Sequence, residues 1–129
     1  MHRGLVSCPA DASLREVAAL MSDKRVHCVV VIDESSLERA LWGIVSDLDL
    51  VAAATVRSLD EQKAAGTAMR PAVTIAPEAP LEQAAKRMTS HGVSHLVVVD
   101  HAEQYPIGVL STLDLAAVFP PASCRSQAA

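Results

Sequence analysis

The chain states one pattern twice. Residues 43–50 read GIVSDLDL and residues 108–115 read GVLSTLDL. A repeated unit demands one structural explanation for both halves, so it constrains the fold more than any single motif does. The copies keep step upstream. DKRVHCVVVID (23–33) lies over SHGVSHLVVVD (90–100) at an offset of 67, which also matches Leu14 to Leu81 and Met21 to Met88. Pro9 matches Pro77 and Met1 matches Met69 at offset 68, and Gly43 matches Gly108 at offset 65. The first copy therefore carries one extra residue before Leu14 and two between Asp33 and Gly43, small changes that belong in loops. Two copies are fewer than a solenoid needs, so they are expected to pack on each other as one pseudo-symmetric unit.

Each copy reads strand, helix, strand, strand, helix. Residues 5–7 and 73–75 are short extended pieces before Pro9 and Pro77. Ser13 offers an N-cap with Glu16 three residues on, and Leu14, Val17, Ala18 and Met21 make one helical face. In the second copy Pro80 suits a first helical turn, and Leu81, Ala84, Ala85 and Met88 repeat the face. CVVVI (28–32) and HLVVV (95–99) are β-branched runs that read as buried strands, followed by strands at 41–45 and 106–110. Between the copies, Ser58 and Glu61 predict a capped short helix over 59–68. Pro120 and Pro121 stop the last helix after Phe119, and the remaining residues form a frayed tail. The expected organisation is repeat 1 over 1–54, a linker helix within 55–68, repeat 2 over 69–119 and a tail over 120–129.

At 129 residues the chain holds one domain's worth of core, and half of it is hydrophobic. The net charge of −4 and the three aromatic residues (Trp42, Tyr105 and Phe119) argue against a nucleic-acid binder. No apolar run spans a bilayer and no signal-peptide pattern opens the chain, so the expectation is a cytoplasmic protein without a membrane partner. Cys8, Cys28 and Cys124 have neither CxxC spacing nor scaffold density and read as reduced thiols, Cys28 buried in a strand.

Ser46 with Asp49, and Ser111 with Asp114, each open a helix. As structure alone, such a pair is a capping box whose carboxylate also suits the positive end of the helix dipole. As function, the same geometry offers free N–H groups and a hydroxyl to an anion, with a carboxylate able to accept two hydrogen bonds from a ribose. Neither GxxxxGK[ST] nor GxGxxG is present. The residues alone leave both readings open.

The ordered set resembles a family. M-x-P-x-V-T-I-x-P (69–77), an amphipathic helix, V-S-H-L-V-V-V-D (93–100) and G-V-L-S-T-L-D-L (108–115) look like a cystathionine β-synthase, or CBS, domain. The first copy matches through 1–9, 26–33 and 43–50, so the whole resembles a CBS pair, or Bateman module. The resemblance implies an α/β fold of two repeats with pseudo-two-fold symmetry. It implies two clefts for adenosine-containing ligands, with Ser46 and Ser111 toward phosphate and Asp49 and Asp114 toward ribose. Ile44 and Val109 would flank the base. Val73 would close the first cleft and Leu5 the second. Basic residues near the start of the apolar strand would reach phosphate, and here one histidine per copy, His27 and His95, holds that place. A histidine is a pH-dependent substitute for arginine, although both also read as strand-end residues bonded to backbone. Asp47 beside Ser46 repels a phosphate, whereas Thr112 does not. The Ser111/Asp114 cleft is therefore expected to be the better site.

Other chemistry finds little support. His91 and His95 stand four apart, but Gly92 interrupts the helix a zinc pair needs. His27 and Cys28 are strand neighbours that point to opposite faces, so they form no dyad. The expectation is a non-enzymatic, stand-alone sensor requiring no cofactor. It would bind AMP, ADP or ATP (AMP or ADP favoured), less readily S-adenosylmethionine or NAD. As a homodimer it would signal to an unidentified protein partner. The competing expectation is a structural or interaction module with degenerate, empty clefts.

Overall fold

The computed structural model describes residues 5–35, 40–100 and 105–118. The readings placed on Met1, Cys124, the Phe119–Pro121 stop and the 120–129 tail lie outside those residues. In chain order the strands are β1 (Ser7–Pro9), β2 (Cys28–Asp33), β3 (Ala40–Ser46), β4 (Thr74–Ile75), β5 (His95–Val99) and β6 (Pro106–Ser111). The helices are α1 (Leu14–Lys24), α2 (Asp47–Ala54), α3 (Ala64–Thr67), α4 (Leu81–His91) and α5 (Thr112–Ala117).

The two β-branched runs become the central strands of two separate sheets, ordered β1-β2-β3 and β4-β5-β6. In each, the first strand runs parallel to the centre and the third antiparallel. Both sheets carry a register shift at the same place, between Val31 and Ile32 and between Val98 and Val99.

Alternation along the strands builds the layers. Val29 and Val31 pack toward Leu14, Val17 and Met21 of α1, while Cys28, Val30 and Ile32 meet Val97 of the other sheet. In β5, Leu96 and Val98 pack toward Ala84, Met88 and Leu115. The result is helix, sheet, sheet, helix, with the central strands buried on both faces. That is why these strands are unbroken apolar runs and not alternating ones.

The register corrects one sequence alignment. Ser7 pairs with Val30 and Thr74 with Val97, so β1 and β4 correspond at offset 67, not 68. Val6 and Val73 take the same role, their carbonyls accepting from Val30 and Val97 at 3.0 and 2.9 Å. The matching prolines, Pro9 and Pro77, are therefore one place out of register. The first strand also lies later than the expected 5–7.

The helices are not equal partners either. Ser13 caps α1 as expected, its hydroxyl accepting from the Glu16 N–H at 3.2 Å. Leu14 is fully buried, but Leu81, expected on the same face of α4, is 48% exposed. The linker accounts for the difference. It does not form one helix over 59–68 but a 3-10 turn at Leu59–Glu61 followed by the four-residue α3. Between them Gln62 and Lys63 are extended. Leu14 N–H donates to the Gln62 carbonyl at 2.9 Å, and Ala64 N–H to Ala12 at 2.8 Å. Gln62 Nε2 donates to the carbonyl of Ala53 at 2.9 Å, near the end of α2. These tertiary bonds replace the helical ones, and the linker that makes them covers Leu14. Pro80, for its part, is the extended N-cap of α4 and not a residue of its first turn.

Beyond the linker, Met69 crosses onto β3. Met69 N–H donates to the Ile44 carbonyl at 2.8 Å, and the Met69 carbonyl accepts from Ile44 N–H at 3.3 Å. A Cβ on Gly43 would collide with the Met69 carbonyl oxygen and lie 3.0 Å from Arg70 Cγ. The motif glycine permits this crossing.

Candidate functional site

Both Ser-x-x-Asp motifs are capping boxes at the ends of edge strands. At α2, Asp49 N–H donates to Ser46 Oγ at 3.1 Å and Ser46 N–H to Asp49 Oδ2 at 3.0 Å. At α5 the same bonds are 3.1 and 2.8 Å, with Ser111 Oγ donating to Asp114 Oδ2 at 3.0 Å. The structural reading is thus correct in both copies. It does not exclude the functional one, because each box opens onto a cleft. Burial acts to raise the Asp114 pKa, but hydrogen bonds, the Ser111 N–H first among them, hold it below the usual value. The carboxyl is anionic at neutral pH.

The cleft at α5 has a volume of about 210 Å3. Ser111, Asp114, Val109, His95 and His27 line it, and so do Val6 and Arg25. Leu5, expected as its apolar wall, instead packs with the core between the sheets, and Val6 takes the lining position. The one-residue register correction explains this. Arg25 stands at the end of α1, three residues before the strand start on which the sequence pattern places the basic residues. Its signal was present in the repeat, since residue 25 matches Gly92 at offset 67.

The cleft at α2 is smaller, about 160 Å3, and is lined by Ser46, Asp49, Ile44, Met69, Ser94 and His95. Val73 does not line it. Val73 borders a neighbouring opening of about 460 Å3 that shares Met69 and Val93 with this cleft. His27 faces the other cleft, whereas His95 lines both.

The two histidines are not symmetry mates. Cys28 pairs with Ser46, and His95 with Ser111, so it is Cys28 that corresponds to His95. Burial pushes the Cys28 thiol up to about 12, with Asp49 and Asp47 adding to the effect, so it stays protonated and un-nucleophilic. His95 Nδ1 lies 3.1 Å from Ser94 Oγ. Burial lowers its pKa, with His27 acting the same way and Asp47 and Asp114 opposing. Asp47, expected to repel phosphate, is engaged locally: its Oδ2 lies 3.1 Å from His27 Nδ1 and its Oδ1 accepts from Leu48 N–H at 2.8 Å.

Among the described residues no group of three or more His, Cys, Asp or Glu could hold a metal. His91 Nδ1 instead lies 2.9 Å from the Arg87 carbonyl. No helix among these residues is long and apolar enough to cross a membrane.

Compared with known proteins, the chain matches the model of the CBS domain family twice, over residues 1–55 and 65–120. A CBS domain protein from Pyrobaculum aerophilum, solved in complex with AMP, is 31% identical with a TM-score of 0.80; the match covers 99% of this chain and 94% of that one. The CBS domain pair of protein MJ0100, solved with 5′-methylthioadenosine and S-adenosyl-L-methionine, shares the fold at a TM-score of 0.80 and 18% identity, covering 92% of this chain and 90% of that one. An uncharacterised Methanocaldococcus jannaschii protein is 28% identical over 112 residues, 85% of this chain, and the chain spans 59% of that relative's length.

Proposed function

The chain belongs to the CBS domain family, and from that premise we propose that it is a regulatory module that binds an adenosine-containing ligand and signals to a partner by changing shape. The comparisons indicate no enzymatic family. The observation that carries the proposal is the cleft at α5. It joins the Ser111–Asp114 box, an apolar wall of Val6 and Val109, and the basic side chains Arg25, His27 and His95. The AMP complex of the 31% identical relative supports the ligand class. AMP or ADP is the preferred ligand, held with its ribose on Asp114 and its phosphate toward Ser111 and the basic side chains. The α2 cleft is the weaker phosphate site, since Asp49 lines it and no arginine does.

A ligand that binds only the native state raises the melting temperature, by the equivalent of about 2.7 kcal/mol at a hundredfold excess over Kd. Melting in millimolar AMP, ADP, ATP, NAD and S-adenosylmethionine is therefore expected to show a rise, largest with AMP or ADP. Asp114→Ala abolishes that rise, and Asp49→Ala leaves most of it. No rise with any of the five favours the second reading, an interaction module with empty clefts. The observation behind that reading is the outward placement of Leu48 and Leu113, 74% and 72% exposed at matching positions of α2 and α5. The two readings share one feature, self-association through these helices into a homodimer.

A further inference from the structure

Helices α1 and α4 both end in a left-handed residue, and the two residues differ in a way the fold does not require. Arg25 caps α1 at φ 55°, ψ 50°, and Gly92 caps α4 at φ 64°, ψ 37°. Their backbone N–H groups both turn back, Arg25 to the Met21 carbonyl and Gly92 to those of Met88 and Thr89. Glycine adopts this conformation without a Cβ clash, and arginine does not. Arg25 is the single non-glycine residue at positive φ among the described residues. A residue held in such a conformation against its preference points to a role for its side chain.

Arg25 lines the α5 cleft beside Ser111 and Asp114, whereas Gly92 lines the α2 cleft beside Ser46 and Asp49. Arg15 has a carboxylate partner, Asp60, at 2.7 Å. Arg25 has none among the described residues. One pseudo-symmetric position thus supplies a permanent cation to one cleft and no side chain to the other. An arginine stays charged at all physiological pH values and can grip two phosphate oxygens, which the neighbouring histidines cannot do when neutral.

We propose that Arg25 is the phosphate anchor of the α5 cleft, and that the Arg25/Gly92 difference sorts ligands, directing phosphorylated adenosines to that cleft. This rests on the reading of both clefts as adenosine sites. Asp114 and the apolar wall would hold the nucleoside in either case, and Arg25 would sense only the phosphate.

The test is calorimetric titration of the full chain with AMP and with adenosine, for wild type, Arg25→Gly and Arg25→Lys, alongside apo melting. Arg25→Gly is expected to weaken AMP binding by roughly ten- to a hundredfold, the range for losing a charged hydrogen bond. Adenosine affinity stays within about twofold of wild type, because no phosphate is involved. The apo melting temperature holds or rises, since glycine suits the left-handed cap. Arg25→Lys falls between the two for AMP, keeping the charge and losing the fork. AMP binding unchanged in Arg25→Gly, or an equal loss for AMP and adenosine, overturns the anchor while the adenosine reading stands. Wild type that binds neither ligand overturns the reading of the clefts, and the anchor with it.

Discussion

At the scale of single residues, His95 is where the two clefts meet. It lines both, and its pKa is lowered below 6.5 chiefly by burial. The unfolded chain therefore binds a proton more readily than the folded one over the interval between the lowered value and 6.5. The contribution of neutral His95 to stability is complete above that interval and is lost as pH falls through it. A phosphate dianion in either cleft acts oppositely, favouring the imidazolium. Proton NMR of the imidazole is thus expected to give a midpoint below 6.5 in the free protein and an upward move on saturation with AMP. His95→Gln identifies the resonance by its loss. A free-protein midpoint at or above 6.5, or one that AMP leaves in place, contradicts this account. The same scale shows what a sequence can and cannot say about a site. Ser46, Asp49, Ser111 and Asp114 were legible because their spacing of three is itself the geometry. Val6 was not, because proline matching suggested offset 68 while strand pairing enforces 67.

Among the elements, the edge strand β3 and the linker laid across it depend on one absent side chain. Met69 pairs with Ile44 while its carbonyl oxygen fills the place a Cβ on Gly43 would need. The obstruction is backbone, so it cannot rotate aside as a side-chain tip can. Gly43→Ala is expected to cost about 1–3 kcal/mol, the usual range for overpacking. Gly66 supplies the control, because a Cβ there meets nothing within 4 Å and its φ is negative within α3. Gly66→Ala should be neutral or stabilise by up to about 1 kcal/mol through helix propensity. Urea denaturation of the two variants checks both signs, and a Gly43→Ala midpoint equal to wild type refutes the crossing as drawn. The linker itself was only half legible. Ser58 does cap, with its hydroxyl accepting from Asp60 N–H at 3.2 Å. What sequence periodicity misses is that the backbone of Gln62 and Ala64 is claimed by the start of α1. A local pattern does not reveal a competing partner some fifty residues away.

For the whole molecule, the four layers bury the central strands but leave a stripe of large apolar side chains outside. Leu48 and Val51 on α2 are 74% and 63% exposed, and Leu113 on α5 is 72% exposed. The layers were legible because β-branched runs at 28–32 and 95–99 need cover on both faces, which a pair of repeats supplies. Leu48 and Leu113 fall at the same place in their motifs, directly between the cap serine and its aspartate. A pseudo-symmetric pair of apolar positions suits an isologous contact, in which one patch meets its own copy. Light scattering on size-exclusion eluate should therefore give a mass near twice the 13.6 kDa of one chain. The double variant Leu48→Glu with Leu113→Glu is expected to elute as a monomer with wild-type circular dichroism. Charge on these exposed positions enters no core, so the fold persists while the apolar contact is lost. If wild type is already monomeric at tens of micromolar, or the double variant remains dimeric, this face is not the contact.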